Sequence, residues 1–278
     1  QALPLLRKAS RVAVLKFAYA EHAQAWARAG HAVAALDVEA LWAQADRFDV
    51  VVLVHPNNPD GTRWPREHLL TLHARLAERG GWLVVDEAFI DIEPQHSVAA
   101  LSAQPGLIVL RSLGKFFGLA GARVGFVLAH AALRDRLHEQ LGPWTLSGPA
   151  RFVASAALRD REWQILQRTR LQHAAQRLAN SLHNAGFSCD GRSALFQWTR
   201  VANAAAIHHA LAAQGVLVRR FDAPPGLRFG LPRDARDEQR LRAALHACPP
   251  PILASAADAF DTRSHDDMSN ASTEAAIS

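Results

Sequence analysis

Cysteine, lysine, tyrosine and long apolar runs are what this sequence has least of. Only Cys189 and Cys248 occur in 278 residues, and they form no Cys-x-x-Cys pair. That excludes a disulfide framework or a zinc knuckle, and both read as ordinary small side chains. No uninterrupted stretch approaches the roughly 18 apolar residues of a membrane helix. The opening Gln-Ala-Leu-Pro-Leu-Leu also lacks the charged-then-apolar order of a signal peptide. A cytoplasmic location is therefore expected. The paired His208 and His209 hint at a metal, but adjacent helical positions point apart, so no metal site is expected.

Lysine is scarce in an unusual way. The chain carries 28 arginines and three lysines, at 8, 16 and 115. A guanidinium stays protonated and is a poor imine nucleophile, whereas a lysine amine can be deprotonated. A chemical reason for retaining Lys115 is thus worth seeking around it.

What is present is a globular composition, 49% hydrophobic, with a formal charge of +5 and a pI near 10.0. The arginines are scattered among acids and not massed on one segment, which reads as a solvated surface and not as a nucleic-acid site. The length suits one large domain with a satellite.

Val12 to Leu15, Ala32 to Leu36, Val50 to Val54, Trp82 to Asp86, Leu107 to Leu110 and Val124 to Leu128 are short apolar runs. They read as buried parallel strands. Helical patterns lie between several of them: Glu21 to Ala29, closed by Gly30, and Pro65 to Arg79, closed by Gly80 and Gly81. The alternation predicts an α/β fold, a mostly parallel sheet covered by helices on both faces, occupying residues 1–150. Ligands of such sheets bind at the carboxyl ends of the strands. From about Ala150 to Ala185 a long connecting helix is expected. Strands at Leu195 to Thr199, Val216 to Val218 and Leu227 to Gly230 and a helix from Asp234 to Ala247 would complete a smaller α+β domain, 151–253. The remaining 254–278, rich in Ala, Ser, Asp and Thr, is expected to be disordered and without a catalytic role.

Three segments carry chemistry. The loop His55-Pro56-Asn57-Asn58-Pro59-Asp60-Gly61-Thr62 sets a side-chain amide at a strand's end, though any βα loop is turn-rich. Val84-Val85-Asp86-Glu87-Ala88-Phe89 puts a carboxylate directly after apolar residues, where it either seeks a cation or caps the next segment. Arg111-Ser112-Leu113-Gly114-Lys115 and the residues up to Gly125 place a hydroxyl, a lysine and Arg123 among four glycines. Alone, that loop indicates no more than an anion cradle.

Taken together and in this order, the three segments resemble the fold type I pyridoxal-phosphate (PLP) enzymes, the aspartate-aminotransferase fold. The specific branch is the one containing histidinol-phosphate aminotransferase and threonine-phosphate decarboxylase, and the resemblance runs from about residue 10 to residue 247. It implies PLP as cofactor, with Lys115 as the Schiff-base lysine and later the general acid/base. It implies Asp86 against the pyridine nitrogen, Asn58 on the phenolic oxygen, and Ser112 and Arg123 in the phosphate cup. Arg228, in Leu227-Arg228-Phe229-Gly230, matches the arginine that grips the substrate carboxylate. Tyr19 falls where the family places a ring against the cofactor face, with core packing as the alternative. Relatives are homodimers, so a homodimer acting on a small phosphorylated amino acid is implied, with no nucleic-acid or membrane partner.

The chain departs from this pattern in four places. Phe89 stands where the family has tyrosine, His55 where asparagine is common, and Lys16-Phe17-Ala18 replaces a usual Pro-Thr approach to Tyr19. The family also carries, upstream of the region matching residue 10, an arm and a phosphate-binding loop. This chain is expected to lack that N-terminal part, so a truncated, inactive relative is one alternative.

Trp144-Thr145-Leu146-Ser147-Gly148-Pro149 is similar to a segment of the threonine-phosphate decarboxylases of cobalamin synthesis, and Phe89 and the run from Arg228 to Pro232 lean the same way. The resemblance thus implies decarboxylation of L-threonine O-3-phosphate, with a histidinol-phosphate-type aminotransferase as runner-up. The two reactions differ in which bond stands perpendicular to the cofactor ring.

Overall fold

A computed structural model describes residues 2–253. The tail expected to be disordered, 254–278, lies outside the described residues.

The chain opens with the short helix α1 (Ala2–Leu5) and then builds a large sheet. Its strands are β1 (Arg11–Leu15), β2 (Ala32–Leu36), β3 (Val50–Val54), β4 (Trp82–Asp86), β5 (Leu107–Ser112) and β6 (Gly125–Leu128), in the order β2-β1-β3-β4-β5-β6. Every residue of β3 is buried, because a central parallel strand with helices on both faces meets no water. Each such Val or Leu contributes about 1.5–3 kcal/mol relative to exposure, an upper bound.

Two expectations need correction. β2 is an edge strand and only partly buried. The sixth strand runs antiparallel to β5, because the chain returns through the 113–124 loop and a short 3-10 turn with no crossover helix.

The crossings are made by α2 (Glu21–Arg28), α3 (Val38–Gln44) and α4 (Arg66–Ala77), and α5 (Ala131–Leu141) follows β6. One core, on one face of the sheet, packs Leu69, Leu72 and Leu76 of α4 against Val51, Leu53, Leu83 and Val85. A second packs Trp26 of α2 and Leu137 of α5 against Val50, Val52, Val84 and Ile108. The alternation of these side chains along β3 and β4 puts successive residues on opposite faces.

The single long helix predicted after residue 150 is two helices, α6 (Gly148–Arg159) and α7 (Arg161–Asn184). Asp160 leaves helical geometry and its carboxylate accepts the Trp163 N–H at 3.0 Å, so it starts α7 as an N-cap. The break lets Ala154 of α6 and Trp163 and Leu171 of α7 pack on Leu113, Phe116 and Phe117.

The small sheet holds β7 (Gly191–Ser193), β8 (Phe196–Arg200), β9 (Arg219–Asp222) and β10 (Pro225–Gly230), antiparallel in the order β7-β8-β10-β9. Helices α8 (Ala204–Ala213) and α9 (Ala235–His246) cover it. The strand expected at Val216 to Val218 lies instead at Arg219–Asp222. The valines pack onto the small core as loop residues, and the charged edge strand that follows shows no apolar run.

Candidate active site

The predicted residues gather where the parallel strands end. β4 ends on Asp86, whose Oδ1 accepts the Ala88 N–H at 2.9 Å. Its Oδ2 accepts from His22 Nε2 at 2.7 Å, and the two side chains are only 13% and 17% exposed. His22 sits in the first turn of α2, just past the end of β1. Tyr19 meets His22 edge-on, with centroids 5.7 Å apart at 84°. Tyr19 is 46% exposed and packs into neither core of the large sheet.

The loop after β3 is fixed by its own side chains. Asp60 accepts from Asn57 Nδ2 at 2.8 Å, from the Thr62 N–H at 3.1 Å and from its hydroxyl at 2.8 Å. This presents Asn58 toward the small sheet, where Arg228 on β10 donates to its Oδ1. Burial first, and then the charge of Arg219, push the Arg228 guanidinium below its usual range. An arginine still remains protonated.

Lys115 is exposed, while Leu113, Phe116 and Phe117 around it are buried, so the loop is pinned on both sides of an exposed side chain. Phe117 stacks on Trp163 at 5.9 Å. The amine stands 5.3 Å from the centre of the Phe89 ring, in a cleft of about 380 Å³ that Phe196, Arg219 and Arg228 also line. Arg219 and Arg228 are cross-strand partners.

Ser112 and Arg123 stand on either side of Lys115 in the same loop. The Ser112 hydroxyl accepts the Gly114 N–H at 3.1 Å. Arg123 adopts left-handed geometry, φ 55°, and donates to the Ala120 carbonyl at 3.2 Å. Among the described residues neither side chain hydrogen-bonds another predicted site residue.

Behind the site, Glu87 points away from Asp86 into the protein and is fully buried. It accepts the Val98 N–H at 2.7 Å and the Ser97 hydroxyl at 2.6 Å, and Arg111 lies 3.3 Å away. Arg111 also pairs with Asp91, and Arg168 of α7 donates to the Asp91 carbonyl at 2.8 Å. Burial raises both carboxylates above their usual range, against the pull of Arg111. This network braces the segment that carries Asp86 and Phe89.

Sequence reading missed His22, Arg219 and Phe196. His22 follows Tyr19 by three residues at a helix start, a spacing that places both on one side. Arg219 carried no signal beyond its charge, because its strand was expected three residues earlier.

The arrangement places an amine, a partly buried carboxylate with its own imidazole partner, an amide, a hydroxyl and three guanidinium groups around the strand ends. The class I and II aminotransferase family matches residues 2–248. A threonine-phosphate decarboxylase from Pseudomonas aeruginosa is 53% identical over 88% of this chain and 74% of its own. One from a Sinorhizobium species is 42% identical over 88% and 73%. Among solved structures, histidinol-phosphate aminotransferase from Clostridium acetobutylicum superposes with a TM-score of 0.79 at 20% identity, covering 88% of this chain and 79% of that one. The Sinorhizobium meliloti enzyme, in complex with pyridoxal-5'-phosphate, gives 0.77 at 24% identity, covering 88% and 73%. The chain belongs to the class I and II aminotransferase family, with its PLP-dependent fold.

Proposed function

We propose that this chain is a PLP-dependent carboxy-lyase that converts L-threonine O-3-phosphate to (R)-1-amino-2-propanol O-2-phosphate and carbon dioxide, the reaction that the resemblance places in cobalamin synthesis. The observation that carries the reading is the pairing of Arg219 and Arg228 across β9 and β10, in one cleft with the exposed amine of Lys115. A small substrate with a carboxylate and a phosphate has two anionic ends, and each guanidinium offers a forked donor to one of them. Identities of 53% and 42% to threonine-phosphate decarboxylases, each over 88% of the chain, against 35% over 66% and 42% over 45% to histidinol-phosphate aminotransferases, support the same choice.

The donor set fits PLP. At Gly114 a Cβ would lie 3.3 Å from the Ser112 hydroxyl and from the Ala120 backbone, so glycine leaves the hydroxyl approachable by an anion. Lys115 would hold the cofactor, Asp86 its ring nitrogen, Asn58 its phenolic oxygen, and Ser112 and Arg123 its phosphate, with Tyr19 beside the ring. When bound, PLP supplies a sink for the electron pair left as a bond to the substrate α-carbon breaks.

The chain's own residues do the rest. Arg228, anchored on Asn58, orients the carboxylate, and Arg219 takes the phosphate. Lys115, the residue that would hold the cofactor, would also carry on Nζ the proton that takes the place of the departed carboxylate at the substrate α-carbon. His22 holds Asp86 by a short hydrogen bond so that its charge stays aimed at one spot. Phe89 brings no hydroxyl to the phenolic oxygen.

A cytoplasmic homodimer completes the reading. Trp144 is 92% exposed and Phe152 76%, and Ile165 and Leu166 add to an apolar surface at α6 and the start of α7. Such a surface suits burial against a second copy.

Supplying L-threonine O-3-phosphate should release carbon dioxide and the amino alcohol phosphate with no glutamate formed from 2-oxoglutarate. Glutamate production from histidinol phosphate would overturn the reading in favour of transamination. Adding PLP should also generate a visible absorption band that Lys115→Ala abolishes. Without that band the chain is an inactive relative.

A further inference from the structure

Two aromatic rings lie between two of the cleft's three cations, Lys115 and Arg228, and neither ring is assigned a contact with them in the reading above. Phe89 follows β4 of the large sheet, and Phe196 opens β8 of the small one. Their centroids are 5.5 Å apart at 86°, an edge-to-face pair that joins the sheets at the site. Each ring also carries a cation: the Lys115 amine stands 5.3 Å from the centre of Phe89, and the Arg228 guanidinium carbon 5.1 Å from that of Phe196. Both rings are buried, at 8% and 3% exposed, so these contacts are partly shielded from water. Cations are drawn to aromatic faces, and more so where water is excluded.

We propose that Phe89 and Phe196 are positioning residues, an aromatic bridge that sets Lys115 and Arg228 relative to each other across the two sheets. The assignment rests on the reading of Lys115 as the cofactor-holding amine and Arg228 as the carboxylate-holding group. Each ring plays a separate part. Phe196 shares Arg228 with Asn58, so the guanidinium is held from two sides before substrate arrives. Phe89 gives a long, exposed lysine one preferred direction, toward the cleft.

Removing a ring would disturb packing as well as the cation contact, so the test keeps the shape and weakens the face. Phenylalanine carrying one, two and three ring fluorines is introduced at 196 and, separately, at 89 of the full chain. At 196 the KM for L-threonine O-3-phosphate is expected to rise stepwise, by about three- to tenfold for the trifluoro ring, with kcat within about twofold. At 89 the readout needs neither substrate nor turnover. In PLP-free protein, acetic anhydride labels Lys115, with Lys8 and Lys16 of the same molecule as internal standards. The trifluoro ring is expected to raise the labelling of Lys115 about threefold relative to both. A flat KM series at 196, or an unchanged labelling ratio at 89, overturns the bridge. If labelling responds but L-threonine O-3-phosphate is not turned over, the substrate reading fails while the contact between Phe89 and Lys115 stands.

Discussion

His22 Nε2 lies 2.7 Å from Asp86 Oδ2, joining the first turn of α2 to the end of β4. A carboxylate at the end of a parallel strand is partly desolvated, and one firm hydrogen bond to it contributes about 1.5–3 kcal/mol. His22→Phe removes that bond and leaves Asp86 with the Ala88 N–H alone. PLP affinity, titrated by visible absorbance, is expected to fall about ten- to a hundredfold, and kcat with it. His22→Gln keeps an N–H donor and should recover part of both. An unchanged PLP affinity in His22→Phe would show that the imidazole does not support Asp86.

The large sheet was legible because its strands are apolar runs separated by helices with proline or glycine at their ends. Asp86, Lys115 and Asn58 were singled out because they follow strand ends, where ligands of such sheets bind, and because their three segments in that order resemble the family. What escaped notice depends on tertiary pairing. Arg219 faces the cleft only because β9 pairs with β10, and local sequence placed that strand on the valines before it. Phe196 fell inside the strand expected at Leu195 to Thr199, and nothing in its neighbours pointed to Arg228 over its ring. The break at Asp160 was readable from an Asp followed by Glu162 at the start of a helical run, but the apolar period on both sides concealed it.

Arg219 and Arg228 should separate in kinetics. In the proposed reading Arg228 carries the substrate carboxylate; it donates to Asn58, whereas Arg219 lines the cleft and lies 5.8 Å from the Phe221 ring. Arg219→Ala is expected to raise the KM for L-threonine O-3-phosphate about ten- to a hundredfold, the loss of one charge-assisted contact. Unphosphorylated L-threonine, with no group for Arg219 to hold, should bind the wild type and Arg219→Ala within about twofold of each other. Equal losses for both compounds would place the phosphate elsewhere.

His55 predicts a pH dependence of stability. It is fully buried, and burial, the largest cause, lowers its pKa from 6.5 to about 4. Its Nδ1 accepts the Trp64 N–H at 3.1 Å and its Nε2 meets the His96 carbonyl at 3.2 Å, so the neutral ring uses both nitrogens. Protonation would turn Nδ1 into a second donor against the Trp64 N–H. Between pH 6.5 and 4 the unfolded chain binds this proton and the folded chain does not, so stability falls as pH falls through that window and is flat above it. The ceiling is about 3 kcal/mol. Urea denaturation across pH 4 to 7 should show a flatter profile for His55→Asn than for wild type, and identical slopes would remove His55 as the cause.

Gly61 is where the Asn58 loop touches the small sheet. Its φ is +73°, and a Cβ there would lie 2.5 Å from the Arg192 carbonyl oxygen on β7. Gly80, with φ +66° and nothing within 4 Å of a Cβ, is its control: similar backbone strain without the collision. Gly80→Ala should therefore cost only the conformational part, about 1 kcal/mol. Gly61→Ala should cost about 2–4 kcal/mol, because the loop or β7 must move as well. The difference between the two, read from thermal or urea denaturation, measures the backbone contact between loop and small sheet. Because Asn58 lies three residues away and holds Arg228, the same displacement should raise substrate KM in Gly61→Ala and leave it unchanged in Gly80→Ala. Equal stability losses, with KM unmoved in both, would mean that the loop and β7 yield freely and that Asn58 does not depend on their contact for its place.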